Sequence, residues 1–305
     1  MATIIPFQLL GRPGSGCSIG FGGLSHDSQM RVETFNVKRQ NEAMDMSQWP
    51  PALFLAHGAP TLALEGGSWA ERLARVSLDL PPLKGVLVCS AHWETQGGFR
   101  VGGALQPRTL HDFGGFPEPL YSLRYPAPGS PDLASRVVSL LGEAGFEAAV
   151  DADRGLDHGV WVPLLHLLPE ARVPVVPLSL PRLREPESLR KAGRALAPLR
   201  EEGVLILGSG GLVHNLGQLD WTGASDPQPW ALAFETWVLE RLAEDPTQAM
   251  DWVHAPGAAT AVPTSEHLDP LWLVLGAAAG ASAQSLFAGW QFGNLSLRCL
   301  SFAPA

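Results

Sequence analysis

Three short apolar runs each deliver a histidine at or just beyond their end. PALFLAHGAP (51–60) places His57 straight after Leu53-Phe54-Leu55-Ala56, GVLVCSAHWET (85–95) reaches His92, and GVLILGSGGLVHN (203–215) reaches His214 a few residues beyond Val204-Leu205-Ile206-Leu207. Runs apolar at every position read as strands covered on both faces, the habit of parallel α/β sheets. Open parallel sheets build their sites at the carboxyl ends of their strands. The fold class expected is therefore α/β: a single domain with a central, mostly parallel mixed sheet flanked by helices and a metal site at the carboxyl edge.

From residue 52 onward, short apolar runs alternate with segments of helical period. The pattern predicts strands at 52–56, 85–91, 98–102, 146–150, 173–179, 204–208, 284–289 and 294–300. It predicts helices near 68–78, 131–144, 160–167, 187–200, 228–243 and 267–278, with Ser130-Pro131 a start signal for the second. Residues 1–45 lack sustained periodicity and read as a poorly organised leader, with the catalytic domain over 46–305 and Met46 a candidate alternative start. IIPFQLLGRPGSGCS has no basic region before it, so a secretory signal is not expected. The proline- and aromatic-rich connection 103–130 is too long for an idle turn and is expected to serve the site.

A net charge of -9 argues against tracking nucleic acid or an anionic membrane face. No apolar stretch reaches the roughly 18 residues of a membrane helix. The 3 cysteines, Cys17, Cys89 and Cys299, have no CxxC spacing, which fits a cytoplasmic protein without a disulfide framework or thiolate zinc site. Glycine motifs are unhelpful: GSGCSIGFGG lacks the GxGxxG spacing, there is no GK[ST], and GSGGL is not GxSxG. A small-molecule enzyme is the expectation.

The 9 histidines separate by neighbourhood. His57 and His92, as neutral imidazoles at strand ends, are first-choice ligands for a borderline divalent metal. His267, in AVPTSEHLDPLWLVLG, opens an apolar helix and is the third candidate, with a helix-start histidine capped by Ser265 as the bland alternative. His214 is either a fourth ligand or a general acid/base, and Asp157 is placed to orient His158. His111, in the long loop, is a candidate to face substrate. His254 is a similar loop histidine, His166 a packed or surface residue of a helix, and His26 lies in the leader. Glu65 and Glu94 stand near the first two motifs as alternative ligands.

PALFLAHGAP, VLVCSAHWET, TLHDFGGFPEPLYSLRYPAPGSP, GLDHGVWVPL, GSGGLVHNL and PTSEHLDPL, in this order, resemble the DODA-type subgroup of class III extradiol ring-cleavage dioxygenases, over about residues 51–300. The resemblance implies a mononuclear metal held by His57, His92 and His267, His214 as catalytic acid/base, and His158 near the substrate. The wider class commonly uses two histidines and a carboxylate; here the third position reads His267, and PTSEH stands where relatives often have TPEH. Fe(II) is the ion expected for activity and Zn(II) is possible as the bound ion, since three neutral imidazoles suit both. The implied partners are a catechol and O₂, the ring opening beside its two hydroxyls. An imidazole with a pKa near neutrality suits the shuttling of substrate protons that the resemblance implies for His214. Arg124, Tyr125 and His111 are the candidates to meet a substrate carboxylate or hydroxyl. A zinc-dependent hydrolase on the same three histidines, or a metal-binding relative without activity, are the rival readings. The sequence does not decide oligomeric state.

Overall fold

The structure is a computed structural model that describes residues 49–220 and 226–303; the expected leader, Met46 and His26 lie outside the described residues. The strands are β1 (Ala52–Ala56), β2 (Gly85–Thr95), β3 (Phe99–Gly102), β4 (Ala148–Asp151), β5 (Val175–Pro181), β6 (Val204–Gly210), β7 (Gln284–Phe287), β8 (Trp290–Gln291), β9 (Leu295–Ser296) and β10 (Cys299–Phe302). The helices are α1 (Gly67–Asp79), α2 (Pro119–Ser122), α3 (Pro131–Glu143), α4 (His158–Leu167), α5 (Pro186–Leu196), α6 (Pro198–Glu201), α7 (Pro229–Glu244), α8 (Ala258–Ala261) and α9 (Pro270–Ala277).

Eight strands form one sheet in the order β4-β3-β5-β2-β6-β1-β10-β7, and β8 and β9 pair separately. The run β5-β2-β6-β1 is parallel, and β3 and β10 join it antiparallel on either side. Successive side chains of a strand point to opposite faces, and the core divides accordingly. Phe54, Leu87 and Ile206 enter one apolar cluster, packed under α3, α5, α7 and α9. Leu53, Leu55, Val86, Val88, Leu205 and Leu207 enter the other, under α1 and α4. Each fully buried aliphatic side chain of this kind contributes about 1.5–3 kcal/mol. Two covered faces are why these strands carry no alternating polar residues.

Four expectations need correction. The strand expected over 294–300 is two, β9 in the pair with β8 and β10 in the main sheet. The strand expected to stop at residue 91 continues to Thr95, through a bulge: Cys89 pairs with Leu178 and Glu94 with Leu180, so residues 90–93 intervene on β2 where Ser179 alone does on β5. A bulge re-aims side chains next to a site, and His92 is carried on it. The helix expected over 187–200 is two, because Pro198 starts α6. His267 does not open α9. It ends a 3-10 turn, Ser265–His267, and the helix begins at Pro270 with Asp269 as its N-cap residue.

Candidate active site

Each central histidine is set by a different element at the carboxyl edge of the sheet. His57 follows β1 directly, its N–H bonded to the Gly210 carbonyl of β6 (3.2 Å). His267 lies against the exit of β6, where the Gly211 N–H donates to its carbonyl (2.8 Å). A Cβ at Gly210 would collide with that same carbonyl, so the absence of a side chain at 210 admits the 265–267 turn. That turn is tied to β2 by Arg184, which bonds Asp269 (2.5 Å) and Glu94 (2.7 Å). Glu94 is therefore an ion-pair partner, not the alternative ligand expected, and Glu65 is exposed.

The rings converge. His57 Nε2 and His92 Nε2 are 2.9 Å apart, and His57, His92 and His158 offer ring nitrogens all within 4.8 Å of one another. His267 lies 5.3 Å from His57 and 5.0 Å from His92 between ring centroids. His214 stacks on His267 at 3.5 Å with 6° between the planes.

The orientation of His57 traces to a proline. Pro163 lies inside α4 and has no N–H, so the carbonyl four residues earlier, that of Gly159, gains no helical partner. Ser209 Oγ donates its one proton to that carbonyl. Towards His57 Nδ1, 2.9 Å away, the serine can then only accept. The ring proton sits on Nδ1 and the lone pair on Nε2, facing the cluster. Ser209→Ala is expected to weaken metal binding by about 10–100-fold, the usual effect of losing a ligand's outer partner, and to leave the Gly159 carbonyl unpaired. A competitive chelator titration checks this, and unchanged affinity would remove the serine from the account.

His267 Nδ1 lies 3.1 Å from Glu266 Oε1, which also accepts from Thr264; its Nε2 is buried with no hydrogen-bond partner. Burial pushes the Glu266 carboxyl up, but the bond and charge of His267 outweigh it and hold the group down at about 2. Burial, then the neighbouring rings, press His57 and His92 well below the ordinary imidazole range. Both are neutral at pH 7, the ligating form. His214 departs from expectation: burial, then His267, push it down to about 3. Facing the site it is a neutral acceptor, not a group half-protonated at pH 7.

The cluster opens into a cavity of about 700 Å³. Its polar wall includes His92, His158, His214, His267, Asp112 and Glu266, and its apolar wall includes Phe113, Phe116, Phe292, Leu219 and Leu295. His111, Arg124 and Tyr125 are outside this lining. The structure has them brace the 103–130 loop instead: His111 Nε2 bonds the Leu123 carbonyl (3.1 Å), Arg124 donates to the Tyr121 and Leu123 carbonyls, and the buried Tyr125 hydroxyl donates to Leu168 (2.9 Å). Asp157 does not orient the ring of His158. It caps α4 through the Val160 N–H and pairs with Arg154 (2.5 Å) and Ser90 (2.6 Å).

Sequence reasoning passed over Asp112, Ser209 and Glu266. Glu266 and Asp112 had a signal, each being adjacent to a candidate histidine, His267 and His111; Ser209 had none at short range.

The sequence matches the family described as the catalytic LigB subunit of aromatic ring-opening dioxygenase over residues 51–296. The chain is 39% identical over 253 residues to the 4,5-DOPA dioxygenase extradiol of Escherichia coli (strain K12), covering 81% of this chain and 92% of that one. It is 37% identical over 262 residues to the 4,5-DOPA dioxygenase extradiol of Beta vulgaris, covering 82% and 95%. Among solved structures, protein JW3007 from Escherichia coli K12 superimposes with a TM-score of 0.72 at 34% identity, over 83% of this chain and all of that one. The match runs through the strands and turns that carry the histidines, and the chain belongs to the LigB family: it is an extradiol, aromatic ring-opening dioxygenase.

Proposed function

We propose that this chain opens a substituted catechol, a DOPA-like one being the first candidate, with a single Fe(II) held by His57, His92 and His267. The observation that carries this reading is the buried, unpartnered Nε2 of His267, whose ring lies 5.3 and 5.0 Å from those of His57 and His92, together with the facing Nε2 atoms of these two. Two imidazole nitrogens 2.9 Å apart, both belonging to neutral rings, form a donor pair that would suit one divalent ion held between them. Such an ion, when bound, supplies coordination positions for both catechol oxygens and O₂ and the redox path between them, which zinc does not.

The chain's own residues do the rest. Ser209 and Glu266 hold the outer nitrogens of His57 and His267. Phe113, Phe116 and Phe292 supply flat apolar walls for an aromatic ring and exclude water from it. The cavity volume lies within the 300–1,000 Å³ usual for small-molecule sites. His214, neutral beforehand, accepts a proton from a substrate hydroxyl and later returns it; a catecholate oxygen beside the ring favours the imidazolium and raises its pKa towards the working range. His158 takes a hydrogen bond from the second hydroxyl. We place the start of the catalytic domain near residue 46, and the enzyme in the cytoplasm, where the free, buried Cys89 and Cys299 stay reduced.

Anaerobic reconstitution with Fe(II) or Zn(II), followed by air and a catechol panel that includes DOPA, tests the proposal. Oxygen uptake with a new yellow product is expected for Fe(II) alone. No uptake with any catechol, at one Fe(II) per chain, would sink it and favour the hydrolase reading.

A further inference from the structure

Asp112 has no part in the reading above. Its carboxylate receives two hydrogen bonds from one residue: the His158 backbone N–H reaches Oδ1 (2.8 Å) and the His158 ring Nδ1 reaches Oδ2 (3.0 Å). Oδ2 also lies 3.7 Å from His92 Nδ1, and Asp112 lines the cavity.

The loop that carries Asp112 is held rigidly over α4. The Leu110 N–H bonds the Leu156 carbonyl and the Leu156 N–H bonds that of Arg108, a short parallel pairing across which Thr109 faces Leu156. Trp161 Nε1 donates to the Leu110 carbonyl (2.9 Å). These bonds seat Asp112 at the first turn of α4, whichever way the rest of the loop runs.

An ionised carboxylate only accepts, so a neutral His158 facing it carries its proton on Nδ1 and its lone pair on Nε2. We infer that Asp112 is a positioning residue that fixes His158 as a proton and hydrogen-bond acceptor towards the catechol, in addition to anchoring the loop. This rests on the reading of His158 as a substrate-facing group and not a metal ligand.

Asp112→Asn separates the two roles. The amide oxygen still accepts from the His158 N–H, while the NH₂ presents a donor to Nδ1 and favours the opposite tautomer. Full-length protein loaded with Zn(II) and labelled with ¹⁵N-histidine gives the tautomer directly from long-range ¹H–¹⁵N spectra, assigned by the peak lost in His158→Gln. Native protein is expected to show Nδ1–H and Asp112→Asn to show Nε2–H. With Fe(II) the variant is expected to keep one metal per chain and a KM within about threefold, and to lose about 10²–10⁴ in kcat. Asp112→Ala should lower both Tm and kcat, so the amide variant carries the activity arm. Nε2–H in the native spectrum overturns the inference, with no variant needed. Native kcat in Asp112→Asn also overturns it, leaving a loop anchor. Loss of metal from Asp112→Asn overturns it in a distinguishable way, by making Asp112 a support of the metal site through His92 or His158. Oxygen uptake by the native enzyme in the same assay shows that the dioxygenase reading stands independently.

Discussion

His267→Ala is expected to lose stoichiometric metal, while His158→Ala keeps it. The physical basis is that His267 carries a buried nitrogen with no partner and a carboxylate on its other nitrogen, the arrangement of a ligand and its outer support. Four-ligand structural sites bind zinc with about 10–16 kcal/mol, roughly 2.5–4 kcal/mol for each ligand. Loss of one ligand then weakens binding about 10²–10³-fold. Metal analysis of each variant after gel filtration, with a chelator series for affinity, gives the numbers. The opposite pattern, with metal lost in His158→Ala and kept in His267→Ala, would assign the ion to His57, His92 and His158, whose ring nitrogens lie within 4.8 Å of one another.

His214→Ala is expected to behave differently from both: one metal per chain, substrate still bound, and kcat lower by about 10²–10⁴. Its side chain touches the cluster by stacking on His267, and its backbone bond to Ala261 survives the substitution. The bonds that orient the proposed ligands come from Ser209 and Glu266, so the ion should be unaffected. Single-turnover oxygen uptake, with metal content measured on the same sample, checks it. Full activity in this variant would remove the proton-transfer role and leave His214 as cavity wall.

Much of this molecule could be read along the chain because the signals are local. Residues 52–56 are apolar at every position, and a strand with both faces covered needs that and little else. Pro131 after Ser130 starts α3 as expected, the Ser130 hydroxyl accepting from Leu133 N–H (3.2 Å). The histidines could be placed at one edge of one sheet because parallel strands end there together.

The bulge that aims His92 was not legible, since it is a mismatch between β2 and β5, where Cys89 pairs with Leu178 and Glu94 with Leu180. Nor was the failure of His111, Arg124 and Tyr125 to reach the cavity, because each is turned aside by a backbone carbonyl placed by folding, that of Leu123 for the first two and that of Leu168, at the end of α4, for Tyr125. The sequence by itself determined the sheet, its covering helices and the histidines delivered to its edge, all through apolar periodicity and strand direction. The tertiary structure alone decided which nitrogen of each ring faces the site. That depends on a single proton placed by a partner, Ser209 for His57 across 152 residues and Asp112 for His158 across 46, and such pairings are made by the topology and not by any spacing within a segment.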